Sequence, residues 1–435
     1  MSAFAAFAGI ASADDLPRRG LMGVQLDATG EDGVAIMSIT PDTAAASAGL
    51  LAGDVIIEID DQPTPDWSTL APIASGLKAG VPTTLTIERG DAQLELELVP
   101  TAMPVEQMAG ADVELGVVTS ANGDRMRTII TVPVGALDAP RPAVLLLQGI
   151  PCQTIELSSP ANPYYRMLKA TNDAGFITMR CEKPGVGDSE GTPCADGGFD
   201  DEVLAYQAAL VELASDPRVD AERIYIVGIS MGGFQAALVA DAAPVAGVVT
   251  FGSGTQPWFE YWISNFRERR LLSGEDPNAV DQSMRVWRDV FAKLLIDEMT
   301  PEQVLEALPA AELLTGLDLE RPAGRHYTFH QELDDANIIG AWADYARSGG
   351  TLLAVHGEFD WIASLHDHKM AATVVDLHSP LDDAGEFVII PGMDHAFTVH
   401  RSLIMSFQRF GQGESSDAFA TLATGWLAEQ AGVEG

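Results

Sequence analysis

Residues 223–240, RIYIVGISMGGFQAALVA, constrain the fold of this 435-residue chain more than any other stretch. A continuous apolar run leads to Ser230, which is flanked by glycines, and a segment rich in small residues follows. An unbroken apolar strand is typical of a sheet that is covered on both faces. A strand that turns sharply into a helix needs glycines, because larger side chains would block the close approach of the two elements. The segment therefore predicts a serine on a tight strand-to-helix turn.

The chain from residue 113 onward repeats this alternation. Apolar runs at PAVLLLQG, FITMRCE, VAGVVTFG, TLLAVHGEFD and FVIIPGMDH are separated by segments with helical spacing. The pattern predicts an α/β fold with a mostly parallel sheet and helices on both faces. Ahead of it, VVTSANGDRMRTIITVPVG predicts a hairpin around Asn122 and Gly123. Functional residues are expected at the C-terminal ends of the strands.

A second match to the pattern Gly-x-Ser-x-Gly surrounds Ser189, in GDSEG. The preceding KPGVGD is typical of a loop rather than a strand. A protease of the chymotrypsin type would need a histidine and an aspartate upstream of this serine. All eight histidines lie downstream, from His326 onward. Ser189 is therefore expected to be a loop residue.

Residues that would activate Ser230 follow the two last apolar runs. TLLAVHGEFDWIAS offers Glu358 and Asp360, and FVIIPGMDHAF offers His395. The resulting chain order is serine, then acid, then histidine.

With GISMGG, HGEFDW and GMDHAF in this order, residues 113–435 resemble the α/β-hydrolase family. The resemblance implies that Ser230 is the nucleophile, His395 the base and Asp360 the acid that orients it. It also implies a helical cap in the strand-free stretch at about residues 255–345, which is far longer than an ordinary connection. An aromatic stripe in this stretch is expected to pack in the cap core or to line the pocket; it comprises Trp258, Phe259, Trp262 and Phe266.

The same resemblance implies an oxyanion hole made of two backbone N–H groups. One is that of Met231, directly after the nucleophile. The other is expected in QGIPC, where Ile150 is favoured because Pro151 has no N–H. Gln148 stands where family members often carry a histidine. For Lys183 and Asp188, in the loop after FITMRCE, a structural role in a tight, hydrogen-bonded turn is favoured, and the alternative is that they shape the pocket.

Residues 18–100 form a separate pattern of short apolar runs that predicts a β-rich module. PDTAAASAGLLAGDVIIEIDDQPT and RGLMGV resemble the PDZ domain family. The resemblance implies that a loop holds the C-terminus of a peptide while the peptide pairs with an exposed strand; the loop residues are Leu21, Met22, Gly23 and Val24. The alternative is a module that only packs against its neighbour. Residues 101–112 are predicted to be a linker.

Composition excludes several functions. A net charge of −38, from 63 acidic and 25 basic residues, argues against nucleic-acid or anionic-membrane partners. No apolar run is long enough to span a membrane. Residues 1–17 are interpreted as a signal-peptide remnant or a disordered terminus, so a periplasmic or secreted location is expected. Export would allow one disulfide, for which Cys152 with Cys194 is preferred.

The expected function is hydrolysis of a small-molecule carboxylic ester through an acyl-enzyme. Amide or peptide hydrolysis by the same residues is the first alternative, and a catalytically inactive PDZ scaffold that binds peptides is the second. No cofactor is expected. No metal is expected either, because the histidines show no ligand spacing, and His356, His366 and His368 are interpreted as structural. The sequence makes no prediction of oligomeric state.

Overall fold

The protein is described from a computed structural model over residues 16–29, 32–135, 139–157, 159–313 and 318–433. The chain divides into two compact units, Met1–Val105 and Glu106–Gly435. Residues 1–15 of the expected signal-peptide remnant lie outside the described residues.

The first unit consists of short strands and two helices. In chain order these are β1 (Gly20–Leu21), β2 (Val24–Leu26), β3 (Val34–Ile39), α1 (Ala44–Ser47), β4 (Val55–Ile59), β5 (Gln62–Pro63), α2 (Trp67–Gly76), β6 (Thr83–Arg89), β7 (Ala92–Leu98) and β8 (Thr101–Ala102). One sheet has the order β2-β3-β4-β6-β7 with β5 on β4, and β1 pairs separately with β8. The β-rich prediction for this region is confirmed.

Alternating residues on these strands form the core of the first unit. Val34 and Ile36 on β3 are buried, as are Leu85 and Ile87 on β6, because strand side chains alternate between the two faces. Asp66 begins α2 by accepting a hydrogen bond from the Thr69 N–H at 2.9 Å. The residues predicted as a linker begin with β8, which completes this unit.

The second unit is built on an eight-stranded sheet. Its strands are β9 (Ala111–Thr119), β10 (Arg125–Pro133), β11 (Arg141–Leu147), β12 (Ile177–Cys181), β13 (Val219–Ile229), β14 (Gly247–Phe251), β15 (Thr351–Gly357) and β16 (Gly385–Ile390). Two further strands, β17 (Thr398–Val399) and β18 (Glu414–Ser415), pair with each other outside this sheet. The order is β16-β15-β14-β13-β11-β12-β10-β9. Neighbours from β16 to β12 are parallel, whereas β10 runs antiparallel to β12 and β9. The mostly parallel sheet and the β9–β10 hairpin, with Gly123 at φ +96°, are both confirmed.

Helices cover both faces of this sheet. In chain order they are α3 (Pro163–Asp173), α4 (Phe199–Ser215), α5 (Met231–Val239), α6 (Trp258–Leu272), α7 (Pro277–Phe291), α8 (Pro301–Ala307), α9 (Tyr327–Asp335), α10 (Ile338–Arg347), α11 (Leu365–His378), α12 (Leu403–Gln408) and α13 (Ala418–Ala431). On one face, α4, α5, α10 and α11 bury residues such as Tyr206 and Trp342. On the other face, α3 and α13 bury residues such as Leu168 and Trp426.

The long insertion between β14 and β15 is helical in the described residues, as predicted. We call α6 to α9, with their connecting turns, the cap. Its core is formed mainly by one face of α7, including Trp287 and Phe291. The predicted cap range extended to about residue 345, but α10 packs against α5 and α11 instead. Trp342 and Tyr345 bury their rings in the core beside the sheet, so α10 is the crossover helix that returns the chain to β15.

Candidate active site

Ser230 lies on the turn between β13 and α5. Its backbone adopts φ +54° and ψ −120°, a conformation that non-glycine residues rarely adopt. The Ser230 N–H donates to the Phe251 carbonyl at 2.8 Å, which fixes the turn against β14. A Cβ on Gly232 would stand 2.2 Å from the Leu147 carbonyl oxygen, and one on Gly228 would stand 2.6 Å from that of Gly232. The flanking glycines are therefore required by the close packing of the turn, as the sequence predicted.

The loops after β15 and β16 bring two further side chains to Ser230. His395 Nε2 lies 3.0 Å from Ser230 Oγ, and His395 Nδ1 lies 2.7 Å from Asp360 Oδ2. The other carboxylate oxygen of Asp360 accepts from the N–H groups of Ile362 at 2.8 Å and Ala363 at 3.0 Å. The ionised carboxylate makes Nδ1 the donor of the imidazole, which leaves Nε2 to accept from the serine hydroxyl.

The surroundings of Asp360 and His395 shift the pKa of each group toward its charged form. Burial alone would raise the pKa of Asp360, but attraction from His395 and hydrogen bonds from His395 and the Ala363 amide lower it. Burial alone would lower the pKa of His395, but the Asp360 carboxylate outweighs it, so this pKa is raised. The Asp360 carboxylate therefore favours the protonated form of His395.

The other candidates from the sequence lie elsewhere. Glu358 Oε2 accepts from the Gly392 N–H at 2.7 Å and thus fastens the loop after β16. Ser189 is a buried loop residue whose Oγ accepts from the Arg127 N–H at 3.0 Å. Arg127 also pairs with Asp188 at 3.2 Å, so this loop is a hydrogen-bonded structural element.

The loop after β11 approaches the serine closely. A Cβ on Gly149 would stand 3.4 Å from the Ser230 Cβ, and Ile150 and Met231 line the same cavity as Ser230. The Gly149 carbonyl accepts from Lys183 Nζ at 2.7 Å. A trans peptide plane directs its C=O and N–H in opposite directions, so the Ile150 N–H points away from Lys183.

A buried polar cluster lies behind this loop, and sequence reasoning missed most of it. Lys183 donates to the Ile150 carbonyl at 3.1 Å and pairs with Glu202 at 3.1 Å. Arg325, just before α9 of the cap, pairs with Glu202 at 2.5 Å and donates to the Ile150 carbonyl at 3.4 Å. Gln235 donates to Glu202 at 2.9 Å. No motif marks Glu202, because an acid in the first turn of a helix is common in any protein.

A disulfide joins this loop to the segment that precedes α4. Cys152 and Cys194 are bonded, with a Cα–Cα distance of 5.7 Å, as preferred from the sequence. Cys181 is free and buried.

The cavity at Ser230 has a volume of about 440 Å³ and lies against the cap. Its wall is largely aromatic; the rings are Phe234, Trp258, Tyr261, Trp262, Phe266, Phe291 and Trp361. Three of the four residues in the predicted stripe line it, whereas Phe259 packs in the hydrophobic core instead. This volume and lining are typical of a site for a small apolar molecule.

Of the histidines near β15, His368 is held by two hydrogen bonds. His368 Nδ1 donates to the Ser364 carbonyl at 2.8 Å, and its Nε2 accepts from the Ser253 N–H at 2.9 Å. Burial lowers the pKa of His368 to about 4. Within the described ranges, no group of three or more His, Cys, Asp or Glu residues is arranged to hold a metal.

In the first unit, the predicted loop borders a groove of about 400 Å³ between β2 and α2. All four predicted residues line it, namely Leu21, Met22, Gly23 and Val24. The Met22 carbonyl accepts from Ala45 and the Gly23 carbonyl accepts from Thr40, which holds the loop in place. β2 is an edge strand of its sheet, so it can pair with an added strand.

Comparison with known families agrees with both units. The model of the alpha/beta hydrolase family matches residues 160–403, more than half of the chain, and the PDZ domain model matches residues 20–99. The chain therefore belongs to the α/β-hydrolase family. More particularly, it is a member with an N-terminal PDZ domain. Among the helices of the described residues, none is both long and apolar enough to cross a membrane.

Individual relatives match only in part. The regulator of sigma-E protease RseP of Escherichia coli is 37% identical over 67 residues, 15% of each chain. The magnetosome formation protease MamE of Magnetospirillum gryphiswaldense is 26% identical over 186 residues, 41% of this chain and 19% of that one. The first curated relatives are matched over less than a third of their own length.

Two solved structures of low sequence identity are similar over most of their own length. Est1E from Butyrivibrio proteoclasticus, with bound ferulic acid, is 15% identical with a TM-score of 0.45, covering 72% of this chain and 96% of that one. Acetyl xylan esterase 1 from Thermoanaerobacterium is 14% identical with a TM-score of 0.44, covering 75% of this chain and 86% of that one. Nothing about substrate follows from either.

Proposed function

We propose that this protein is a serine hydrolase that cleaves small carboxylic esters. The observation that carries the proposal is the continuous hydrogen-bonded chain from Asp360 through His395 to Ser230, which ends at an aromatic cavity. A hydroxyl, an imidazole and a carboxylate in this order form the arrangement that turns a serine into a nucleophile at neutral pH.

In the first half of the reaction, Ser230 Oγ attacks the ester carbonyl carbon while its proton passes to His395 Nε2. The carbonyl π electrons move to the oxygen, which becomes an oxyanion. When that tetrahedral intermediate collapses, the carbon–oxygen bond to the alcohol breaks and the alcohol takes the proton from His395. In the second half, water attacks the acyl-enzyme with His395 again accepting the proton, and the acid leaves as Ser230 recovers its hydrogen.

The oxyanion is stabilised by the N–H groups of Met231 and Ile150. Met231 begins α5, where N–H groups of the first turn have no partner within the helix. The Ile150 N–H faces away from Lys183, and a positioned donor of this kind commonly contributes about 10²- to 10³-fold to the rate.

Hydrolysis of 4-nitrophenyl acetate, butyrate and octanoate, each beside the matching 4-nitroanilide, tests the proposal. We expect turnover of the esters, and loss of that turnover in S230A with an unchanged circular dichroism spectrum. The matched control is S189A, which removes the other serine in the same five-residue pattern. Faster cleavage of the anilides would favour amide hydrolysis, whereas no turnover of either series by folded wild-type protein would favour a binding scaffold.

We further propose that the PDZ domain binds the C-terminus of a peptide. Support comes from the groove between β2 and α2, which the loop of Met22 and Gly23 borders at one side. Fluorescence polarisation with a library of free-carboxylate peptides and their C-terminal amides tests this. Binding that is lost on amidation would support carboxylate recognition, and equal binding of both forms would contradict it.

The proposed location is the periplasm or the cell exterior. A disulfide between Cys152 and Cys194 persists in an oxidising compartment and is reduced in the cytosol. Counting the free thiols of protein purified from its natural source tests this. One reactive thiol, Cys181, is expected in denaturant, and three would contradict export.

A further inference from the structure

Helix α6 presents a polar stripe to the cavity at Ser230. Tyr261, Asn265 and Arg269 are spaced four residues apart, so they lie on one face of the helix, and all three line the cavity. Tyr261 lies near the serine end, because its ring contacts that of Phe234, one turn after Ser230 in α5. Arg269 lies two turns farther along α6, about 12 Å from Tyr261 along the helix axis.

Arg269 differs from the other two arginines around it. Arg267 pairs with Asp281 at 3.3 Å, and Arg270 pairs with Glu275 at 2.5 Å. No carboxylate of the described residues forms an ion pair with Arg269. Its guanidinium instead lies over the ring of Trp361, 5.6 Å from the centroid, and Trp361 also lines the cavity.

Asn265, in the middle of the stripe, links α6 to the loop after Asp360. The side-chain amide of Asn265 donates to the carbonyls of Trp361 at 3.0 Å and Ile362 at 3.1 Å. This contact holds α6 and the Trp361 loop together, so the cationic group and the aromatic ring beneath it keep their places at the cavity wall.

The other charged groups of the cavity are already engaged. Arg321 pairs with Asp196 at 2.5 Å. Asp318 accepts from the N–H groups of Glu320 at 2.9 Å and Arg321 at 3.2 Å. Arg269 is therefore the charged side chain of the cavity wall that is available to a ligand, among the residues that the structure describes.

On these grounds, and resting on the proposed function, we infer that the substrate is an apolar ester that carries an anionic group, which Arg269 binds. The ester carbonyl lies at Ser230, the apolar body lies along the aromatic wall, and the anion meets the guanidinium at the Trp361 end. A guanidinium that lies over an aromatic ring keeps its N–H groups available to a carboxylate. The net charge of −38 repels anions at long range, so the preference depends on this local contact.

Two esters of equal acyl length separate this inference from a general preference for apolar chains. Mono(4-nitrophenyl) adipate and 4-nitrophenyl hexanoate differ by a terminal carboxylate. For each variant, kcat/KM for the adipate ester is divided by kcat/KM for the hexanoate ester. We expect R269Q to lower this ratio by about tenfold, which is the usual scale of a partly exposed charge-assisted contact. R269K should give an intermediate ratio because it keeps the charge but loses the fork. The matched control is R267Q, on the same helix, which should keep the wild-type ratio.

Binding without turnover makes the two proposals distinguishable. In the S230A background, tryptophan fluorescence reports binding of monobenzyl adipate and benzyl hexanoate, because Trp258, Trp262 and Trp361 line the cavity. We expect R269Q to weaken adipate binding relative to hexanoate binding by about tenfold. If R269Q leaves the adipate-to-hexanoate ratio at its wild-type value for both kcat/KM and binding affinity, Arg269 is a solvated surface charge and the inference is wrong. If the binding preference holds but no ester is hydrolysed, only the hydrolase proposal fails.

Discussion

Lys183 is the residue whose removal tests most sharply how the loop of Gly149 and Ile150, which is proposed to supply an oxyanion donor, is held. Its ammonium group is fully buried and donates to two consecutive carbonyls of the loop, those of Gly149 and Ile150. Lys183→Met keeps the approximate length of the side chain but removes all of its donors. The two carbonyls then lose a charged donor, and Glu202 keeps Arg325 as its partner.

The magnitude follows from those contacts. A buried acceptor left without a donor costs about 1 to 3 kcal/mol, so the loop will rotate to find new partners. Rotation of the Gly149–Ile150 peptide also moves the Ile150 N–H, because both groups belong to one plane. Complete loss of an oxyanion donor costs about 10²- to 10³-fold in kcat, and partial displacement should cost about 10- to 100-fold. KM should change little, because the donor acts mainly on the transition state.

Lys183 also predicts a signature in the pH dependence. Burial lowers the pKa of Lys183 from 10.5 to about 8, against the opposing attraction of Glu202. Above pH 8 the folded protein loses this charge, so kcat of the wild type should fall on the alkaline side. The effect on stability has the opposite sign: between pH 8 and 10.5 the unfolded chain binds more protons, so raising the pH favours the folded state.

The assay is steady-state hydrolysis of 4-nitrophenyl butyrate from pH 6 to 9.5, with circular dichroism and thermal unfolding in parallel. The matched control is Lys169→Met, which removes an exposed lysine that pairs with Asp173. A Lys183→Met variant that folds normally, keeps kcat within twofold of the control and shows the same alkaline fall in kcat would contradict this role of Lys183.

Three further predictions concern the turn, the disulfide and the buried histidines. Gly232→Ala places a Cβ 2.2 Å from a backbone carbonyl oxygen, so kcat should fall at least tenfold or the protein should lose solubility; wild-type kinetics would contradict this. Replacing Cys152 and Cys194 by serine opens a loop of 42 residues and should lower the unfolding free energy by about 2 to 4 kcal/mol, measured by urea titration. Burial lowers the pKa of His330 and of His368 to about 4, so both stay neutral when folded and become protonated when unfolded. Acidification from pH 6.5 to 4 should therefore cost up to about 3 kcal/mol for each histidine, and a flat urea midpoint over this range would contradict it.

Sequence order and local chemistry were sufficient to predict the main residues of the candidate site. The glycines around Ser230 predicted a tight turn because only glycine fits there, and the acid and the histidine were expected at strand ends because parallel strands end at one edge of the sheet. The choice between Glu358 and Asp360 rested on the resemblance, since both follow the same strand. In the structure, Asp360 is hydrogen-bonded to His395, whereas Glu358 accepts from the Gly392 N–H.

Other features depend on contacts that sequence patterns do not encode. Arg325 lies in the cap and Glu202 lies in α4, so only the folded chain brings them to the loop of Ile150. α10 begins inside the predicted cap range, but it packs against α5 and α11, and the sequence pattern does not reveal those partners. Arg269 is one of three arginines within four residues. The sequence does not show that the other two form ion pairs while Arg269 lies over Trp361 at the cavity wall.

Covalent labelling tests the central claim most directly. Folded protein is treated with a fluorophosphonate, which phosphonylates an activated serine, and the modified peptide is located by mass spectrometry. We expect a single adduct on Ser230 that persists in S189A, is absent from S230A, and is strongly reduced when His395 is replaced by alanine. An adduct at another residue, or no adduct on the folded wild-type protein, would contradict it.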